Sequence, residues 1–218
     1  MTHDSVGTRS EQLPDSLVYV IDDDESIRGA LTSLLRSVGI EVRAFASADE
    51  FLAEKMPDVP SCLILDIRLR GESGLTLQQE AFKESIRFPI VFLTGHGDIG
   101  MTVKAMKAGA FDFMTKPFKD QDLLDTIAAA LKRDGALRRQ AKLVAGIRQA
   151  YDSLTSRERE LIGMVAEGLL NKQIADRLCL SEVTVKIHRA QAMRKLNARS
   201  VAELIKKLQQ VQAPQSAR

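Results

Sequence analysis

Residues 61–74 read SCLILDIRLRGESG, an aliphatic run that stops on a carboxylate, Asp66. A strand covered on both faces appears in sequence as a nearly unbroken row of aliphatic residues, and Cys62, Leu63, Ile64 and Leu65 fit that pattern. Asp66 therefore falls where a core meets water. In open α/β sheets the crevice beyond the carboxyl ends of the strands is where ligands bind, so an acid there invites a functional reading. Taken alone, an Asp that ends a strand or caps a helix is the simpler reading. The neighbouring segments decide between them.

Working outward, similar short aliphatic runs alternate with helical patterns from Leu17 onward, the signature of βα units and a parallel sheet. Strands are expected near 17–21 (LVYVI), 41–45 (EVRAF), 61–65 (SCLIL), 89–94 (PIVFLT) and 111–115 (FDFMT), with helices in the gaps. SADE at 47–50 has capping-box form, with Ser47 as N-cap and Glu50 three residues on. Gly109 follows MTVKAMKA as a helix stop. Five strands and five helices make a flavodoxin-like, doubly wound α/β domain.

The polar residues at the strand ends then form a set. The first strand ends in Asp22, Asp23 and Asp24, the third in Asp66 and the fourth in Thr94, while Lys116 follows the fifth. In a parallel sheet all of them converge on one edge. Crowded carboxylates repel, and a hard divalent cation held by oxygen relieves this, with Mg²⁺ the natural partner for phosphate chemistry. A cation and Lys neutralise phosphoryl oxygens, Thr donates a hydrogen bond, and one Asp can serve as nucleophile.

The motifs VIDDDESIR, LILDIRLRGESG, FLTGHGD and DFMTKPF closely resemble the receiver domain of two-component response regulators, in particular the FixJ type, over residues 17 to about 133. The resemblance implies that Asp66 accepts a phosphoryl group from a histidine kinase. It implies Mg²⁺ held by Asp22, Asp23, Asp66 and the backbone carbonyl of Arg68, with Thr94 and Lys116 sensing the phosphoryl oxygens. Phe113 matches the aromatic switch position, and Lys116–Pro117 a peptide bond that is usually cis. One departure is Arg70, where the family usually has Pro, which would stiffen the loop. Arg68 and His96 fall where side chains modulate hydrolysis.

The 218-residue chain suits two small domains, and its 44% apolar content is enough for real cores. No stretch approaches the ~20 apolar residues needed to span a bilayer. The N-terminal MTHDSVGTRSEQLPDS is polar and lacks the apolar core of a signal peptide, so a cytoplasmic protein is expected. Cys62 and Cys179 lie in apolar contexts in different halves and read as buried thiols. The net charge of +2 hides a split: residues 1–134 hold 15 Lys+Arg and 22 Asp+Glu, or −7, and residues 135–218 hold 16 and 7, or +9. A basic C-terminal part beside an acidic N-terminal one is the footprint of a nucleic-acid-binding domain with a different partner domain.

The expected organisation is a disordered tail over 1–16, the receiver at 17–133, a helical linker at 134–153, a small all-α domain of four helices at 154–210 and a second tail at 211–218. The linker carries Leu137, Ala141, Val144 and Ile147 at helical spacing, and Gly135 should separate it from the preceding helix. LTSRERELIGMVAEG opens with a Thr155 to Glu158 capping box and closes on Gly168. NKQIADRL, CLS and EVTVKIHRAQAMRKLN form a helix, a turn and a second helix. At 100° per residue Val185, His188, Ala192 and Leu196 face the core, opposite Lys186, Ile187, Ala190, Gln191 and Arg194. That second face suits a major groove, where thymine methyls and base-edge acceptors lie side by side. Lys172, Arg189, Lys195 and Arg199 flank it as phosphate contacts. The DNA-contact candidates are Lys172, Thr184, Lys186, Ile187, His188, Arg189, Ala190, Gln191 and Arg194, with His188 counted in both sets.

LTSREREL, AEGLLNKQIA and LSEVTVKIHRAQAMRKL are similar to the LuxR-type helix-turn-helix domain over residues 154 to about 207. This implies a recognition helix at 182–196 and a final helix, SVAELIKKLQQV, able to form the dimer contact on DNA. Leu169 replaces a usual small polar residue, with consequences confined to local packing. The expected function is a phosphorylation-controlled DNA-binding transcription regulator that is not an enzyme. Phosphorylation would reshape the surface around the fifth strand and the helix before it, and pair two receivers into a homodimer. Its partners would be a sensor histidine kinase and promoter DNA, with RNA polymerase a further candidate and no membrane. An aspartyl phosphatase would carry a second acid two residues after its nucleophile, where Arg68 stands. A phosphate-independent dimerisation module and a ligand-gated regulator are the other rivals.

Overall fold

A computed structural model describes residues 15–69, 88–95 and 99–212 and divides the chain into two compact units, residues 1–138 and 139–218. In the first unit the elements are β1 (Leu17–Ile21), α1 (Glu25–Ser37), β2 (Glu41–Phe45), α2 (Ala48–Leu52), β3 (Ser61–Asp66), β4 (Ile90–Thr94), α3 (Ile99–Lys107), β5 (Asp112–Thr115) and the start of α4 (Asp120–Asp152). The strands form one parallel sheet in the order β2-β1-β3-β4-β5. The chain moves from β1 to β2 on one side, then crosses to β3 on the other. The switch point of the sheet thus lies between β1 and β3, beyond Ile21 and Asp66.

All residues of β1, β3 and β4 are buried, which is why their sequences read as unbroken aliphatic runs rather than alternating ones. Alternate side chains feed two cores. Leu17, Tyr19, Ile21, Leu63, Leu65 and Phe92 pack with Phe51 on one face, and Val18, Val20, Cys62, Ile64, Val91 and Leu93 pack with Leu31, Leu35, Leu123 and Ile127 on the other. Ser47 caps α2 through the Glu50 amide, although the Glu50 carboxylate reaches the Ala46 amide rather than that of Ser47. Gly109, at φ 92°, takes the left-handed conformation that ends α3 and lets Ala110 bond back to Ala105.

Gly135 does not break the helix as expected. Instead α4 runs without interruption from Asp120 to Asp152. Its buried stripe is Leu123, Ile127, Ala130 and then Asp134, an acid in the place where an apolar residue would continue the pattern. The Asp134 carboxylate accepts the Ser61 amide at 2.9 Å, at the start of β3, and pairs with Arg138, whose guanidinium also reaches Asp58. A buried charge is tolerated when it is paired and hydrogen-bonded, and this one is both. Burial first, then the Asp134 charge, pushes the neighbouring Cys62 thiol far up.

In the second unit α4 continues to Asp152 and is followed by α5 (Ser156–Ala166), α6 (Asn171–Leu178), α7 (Glu182–Lys195) and α8 (Val201–Gln212). Leu154, Leu161, Ile162, Val165, Ile174, Leu178, Val185, Ala192, Leu196, Leu204 and Leu208 form their core, with Ala150 and Tyr151 packed against it. Of the expected linker stripe, Leu137 and Ala141 are exposed, while Val144 and Ile147 are half-buried. Cys179 is exposed rather than buried: it occupies the left-handed cap after α6, at φ 52°, where the turn points its side chain outward. Among the described residues no helix is long and apolar enough to cross a membrane. The two expected tails and the sites at Arg70 and His96 lie wholly or mainly outside the described residues.

Candidate functional site

The carboxyl edge of the sheet brings together side chains that are far apart in sequence. Asp22 ends β1 and is 1% exposed, and Asp66 ends β3 and is 9% exposed. Lys116, just after β5, donates from Nζ to Asp22 Oδ2 at 2.7 Å and to Asp66 Oδ2 at 2.6 Å. The remaining oxygens are used locally: Asp22 Oδ1 accepts the Asp24 amide and Asp66 Oδ1 the Arg68 amide, each at 2.9 Å. These two short turns set the carboxylates. Arg28 bonds to the Asp22 carbonyl at 2.7 Å and ties the first turn of α1 to the same edge.

Asp24 serves differently from its two neighbours. It is the N-cap of α1, and its carboxylate accepts the amides of Ser26 and Ile27, which hold its pKa below the usual carboxylate range. Burial pushes Asp22 up, against the opposing pull of the Lys116 and Asp24 hydrogen bonds. Burial works against the charge on Lys116 too, but its bonds to Asp22 and Asp66 outweigh that and raise it. The site therefore holds two buried carboxylates bridged by one ammonium.

Carboxylate oxygens of Asp22, Asp23 and Asp66 lie within 4.8 Å of one another. An all-oxygen set of this size suits a hard divalent cation such as Mg²⁺, and the bridging Lys116 ammonium shows that the pocket accepts positive charge. Thr94, at the end of β4, is buried and donates from Oγ1 to the Gly95 carbonyl at 3.1 Å. Phe113 on β5 pairs with Phe92 in register and stays 38% exposed. The Lys116–Pro117 bond is cis.

In the second unit, α7 presents the polar face anticipated for it. Lys186, Ile187, Ala190 and Arg194 are exposed, Gln191 and His188 are half-buried, and Val185, Ala192 and Leu196 face the core. Four ties fix this helix: Ser181 caps it through the Thr184 amide and pairs with the Thr184 hydroxyl, Arg189 donates to Asn171 at 2.9 Å, Lys195 reaches the buried Glu158 at 2.7 Å, and Lys207 caps the carbonyls of Leu196 and Asn197. Lys195 and Arg189 are thus engaged within the domain, whereas Lys172 and Arg199 are exposed beside it. Val183, 65% exposed on α7, was not among the residues expected from sequence. Its position one turn before Ile187 was the available signal.

Comparison with known proteins accounts for both units. Residues 18–128 match the response regulator receiver domain and residues 152–208 the bacterial regulatory proteins of the luxR family. Nodulation protein W of Bradyrhizobium diazoefficiens is 51% identical over 200 residues, covering 92% of this chain and 88% of that protein. The solved structure of the response regulator StyR is similar with a TM-score of 0.81 at 47% identity, covering 89% of this chain and 98% of that one. Full-length FixJ from B. japonicum is similar with a TM-score of 0.56 at 33% identity, over 91% and 98% of the two chains.

Proposed function

The chain belongs to the two-component response regulators of the FixJ type, which join a receiver domain to a LuxR-type DNA-binding domain, and on that footing we propose that Asp66 is its phosphoryl acceptor and the control point for DNA binding. The observation that carries this is the meeting of Asp22, Asp23, Asp66 and Lys116 at the switch point of the sheet. An Asp66 carboxylate oxygen attacks the phosphorus of a phosphohistidine on a sensor kinase. The P–N bond breaks, its electron pair stays on the imidazole nitrogen, and an acyl phosphate forms on Asp66. Asp22, Asp23, Asp66 and the Arg68 carbonyl would hold Mg²⁺, which when bound neutralises phosphoryl oxygens.

Lys116 turns its ammonium from the two carboxylates to the new phosphoryl oxygens, and Thr94 exchanges the Gly95 carbonyl for one of them. Phe113, now partly exposed, follows Thr94 inward. The phosphoryl group thereby favours one of two arrangements of the α3 and β5 surface, where Val103 and Met106 are also exposed. Two receivers pair through that surface, and two α7 helices read half-sites one turn, about 34 Å, apart. The protein works in the cytoplasm as a transcription regulator without enzymatic turnover.

The test is DNA affinity of the full chain, measured on a duplex selected from a random library, with and without Mg²⁺ and acetyl phosphate. The wild type should gain on the order of tenfold, a typical coupling between two sites, and Asp66→Ala should gain nothing. Equal gains in both proteins would contradict the proposal.

A further inference from the structure

We infer that Val183 and Ile187 form an apolar reading edge on α7 that selects thymine methyl groups, so that each DNA half-site carries two thymines one or two base pairs apart. This inference rests on the DNA-binding reading given above and adds to it which bases are chosen. Val183 is 65% exposed and Ile187 is 52% exposed. They are four residues apart on one helix and so lie on the same face, one turn apart. Ala190, exposed on that face, extends the row, and Lys186 and Arg194 flank it.

Neither side chain belongs to the core of the second unit. The core of the second unit is built from Val185, Ala192 and Leu196 on the opposite side of α7. β-branched residues also favour a helix less than Lys, Arg or Gln would at the same exposed positions. Polar side chains there would lower the solvation cost and read base-edge acceptors. An apolar pair is useful only against an apolar partner. The surroundings select that partner: residues 135–218 hold 16 Lys+Arg against 7 Asp+Glu, a surplus of +9, which suits the polyanionic duplex. In the major groove of such a duplex the one apolar group on the base edges is the thymine C5-methyl.

The spacing follows from the two repeats. One helical turn rises about 5.4 Å and one base step about 3.4 Å, so side chains a turn apart meet methyls roughly one to two steps apart. Lys186, beside the row, and Arg194, one turn beyond Ala190, are placed for neighbouring acceptors or phosphates. The hydroxyl of Thr184, between Val183 and Ile187 on the chain, is already paired with Ser181.

The experiment uses the full-length protein with Mg²⁺ and acetyl phosphate and a duplex selected from a random library. Each thymine of the selected half-site is replaced in turn by deoxyuridine, which deletes the methyl and leaves the pairing edge and the phosphates unchanged. The expected result is two sensitive thymines, one or two base pairs apart, each costing about fourfold in affinity. Val183→Ser should then bind the thymine and uracil forms equally well at one of the two positions. Wild-type affinity that is unchanged by uracil at every position overturns the inference, as does a Val183→Ser variant that still distinguishes thymine from uracil at both. Selection of no sequence at all would overturn the DNA-binding reading and this inference with it.

Discussion

Lys116 holds the proposed phosphorylation site together by bridging Asp22 and Asp66, and a cation entering the pocket must compete with it. Lys116→Ala removes the competitor and leaves the carboxylates facing one another. Mg²⁺ should therefore bind the variant several-fold more tightly and raise its melting temperature more than that of the wild type, since a ligand of the folded state stabilises it by mass action. Equal Mg²⁺ responses in thermal melts would contradict this role. Glu158 is a second informative residue. Its bond to Lys195, and after that the Thr155 amide, hold it below the usual Glu range despite burial. A depressed carboxylate adds stability that is complete above the unfolded value, about pH 4.3, and is lost as the pH falls through the folded one. The second unit should lose stability on acidification below that value, and Glu158→Gln should flatten the slope in pH-dependent unfolding curves. These acids were visible in the sequence as strand ends and a capping box. The pairing of Glu158 with Lys195 was not, nor was that of Arg189 with Asn171, because each tie joins residues from different helices.

At the scale of elements, β1, β3 and β4 could be placed from sequence because strands buried on both faces leave aliphatic runs with polar ends. The helix α4 could not be bounded that way. Gly135 suggested a break, but its neighbours hold the helix to the sheet through polar contacts: Asp134 takes the fourth position of the buried stripe and bonds to the Ser61 amide. Hydrophobic periodicity is blind to a buried acid whose partners are an amide 73 residues away in sequence and an Arg. Asp134→Ala would leave that buried amide without its acceptor and Arg138 with Asp58 alone, at a cost of about 1–3 kcal/mol in chemical denaturation. A change under a few tenths would contradict the pairing. Cys179 was expected in a core and instead closes α6 at φ 52°, a conformation that glycine adopts without strain. Cys179→Gly should stabilise the second unit by up to about 1 kcal/mol, read as a rise in its unfolding midpoint.

For the whole molecule, the charge split between an acidic first part and a basic second part already pointed to two domains with different partners. The family match turns that division into a receiver and a DNA-binding domain. The identity of the reacting carboxylate rests on one convergence, Asp66 with Asp22, Asp23 and Lys116, and every step proposed after it depends on that residue. The most direct test is the intact mass of the full chain after incubation with Mg²⁺ and acetyl phosphate, beside Asp66→Ala. A single phosphoryl adduct in the wild type and none in the variant is the predicted result. An adduct of equal abundance on both proteins would place the acceptor elsewhere and contradict the account.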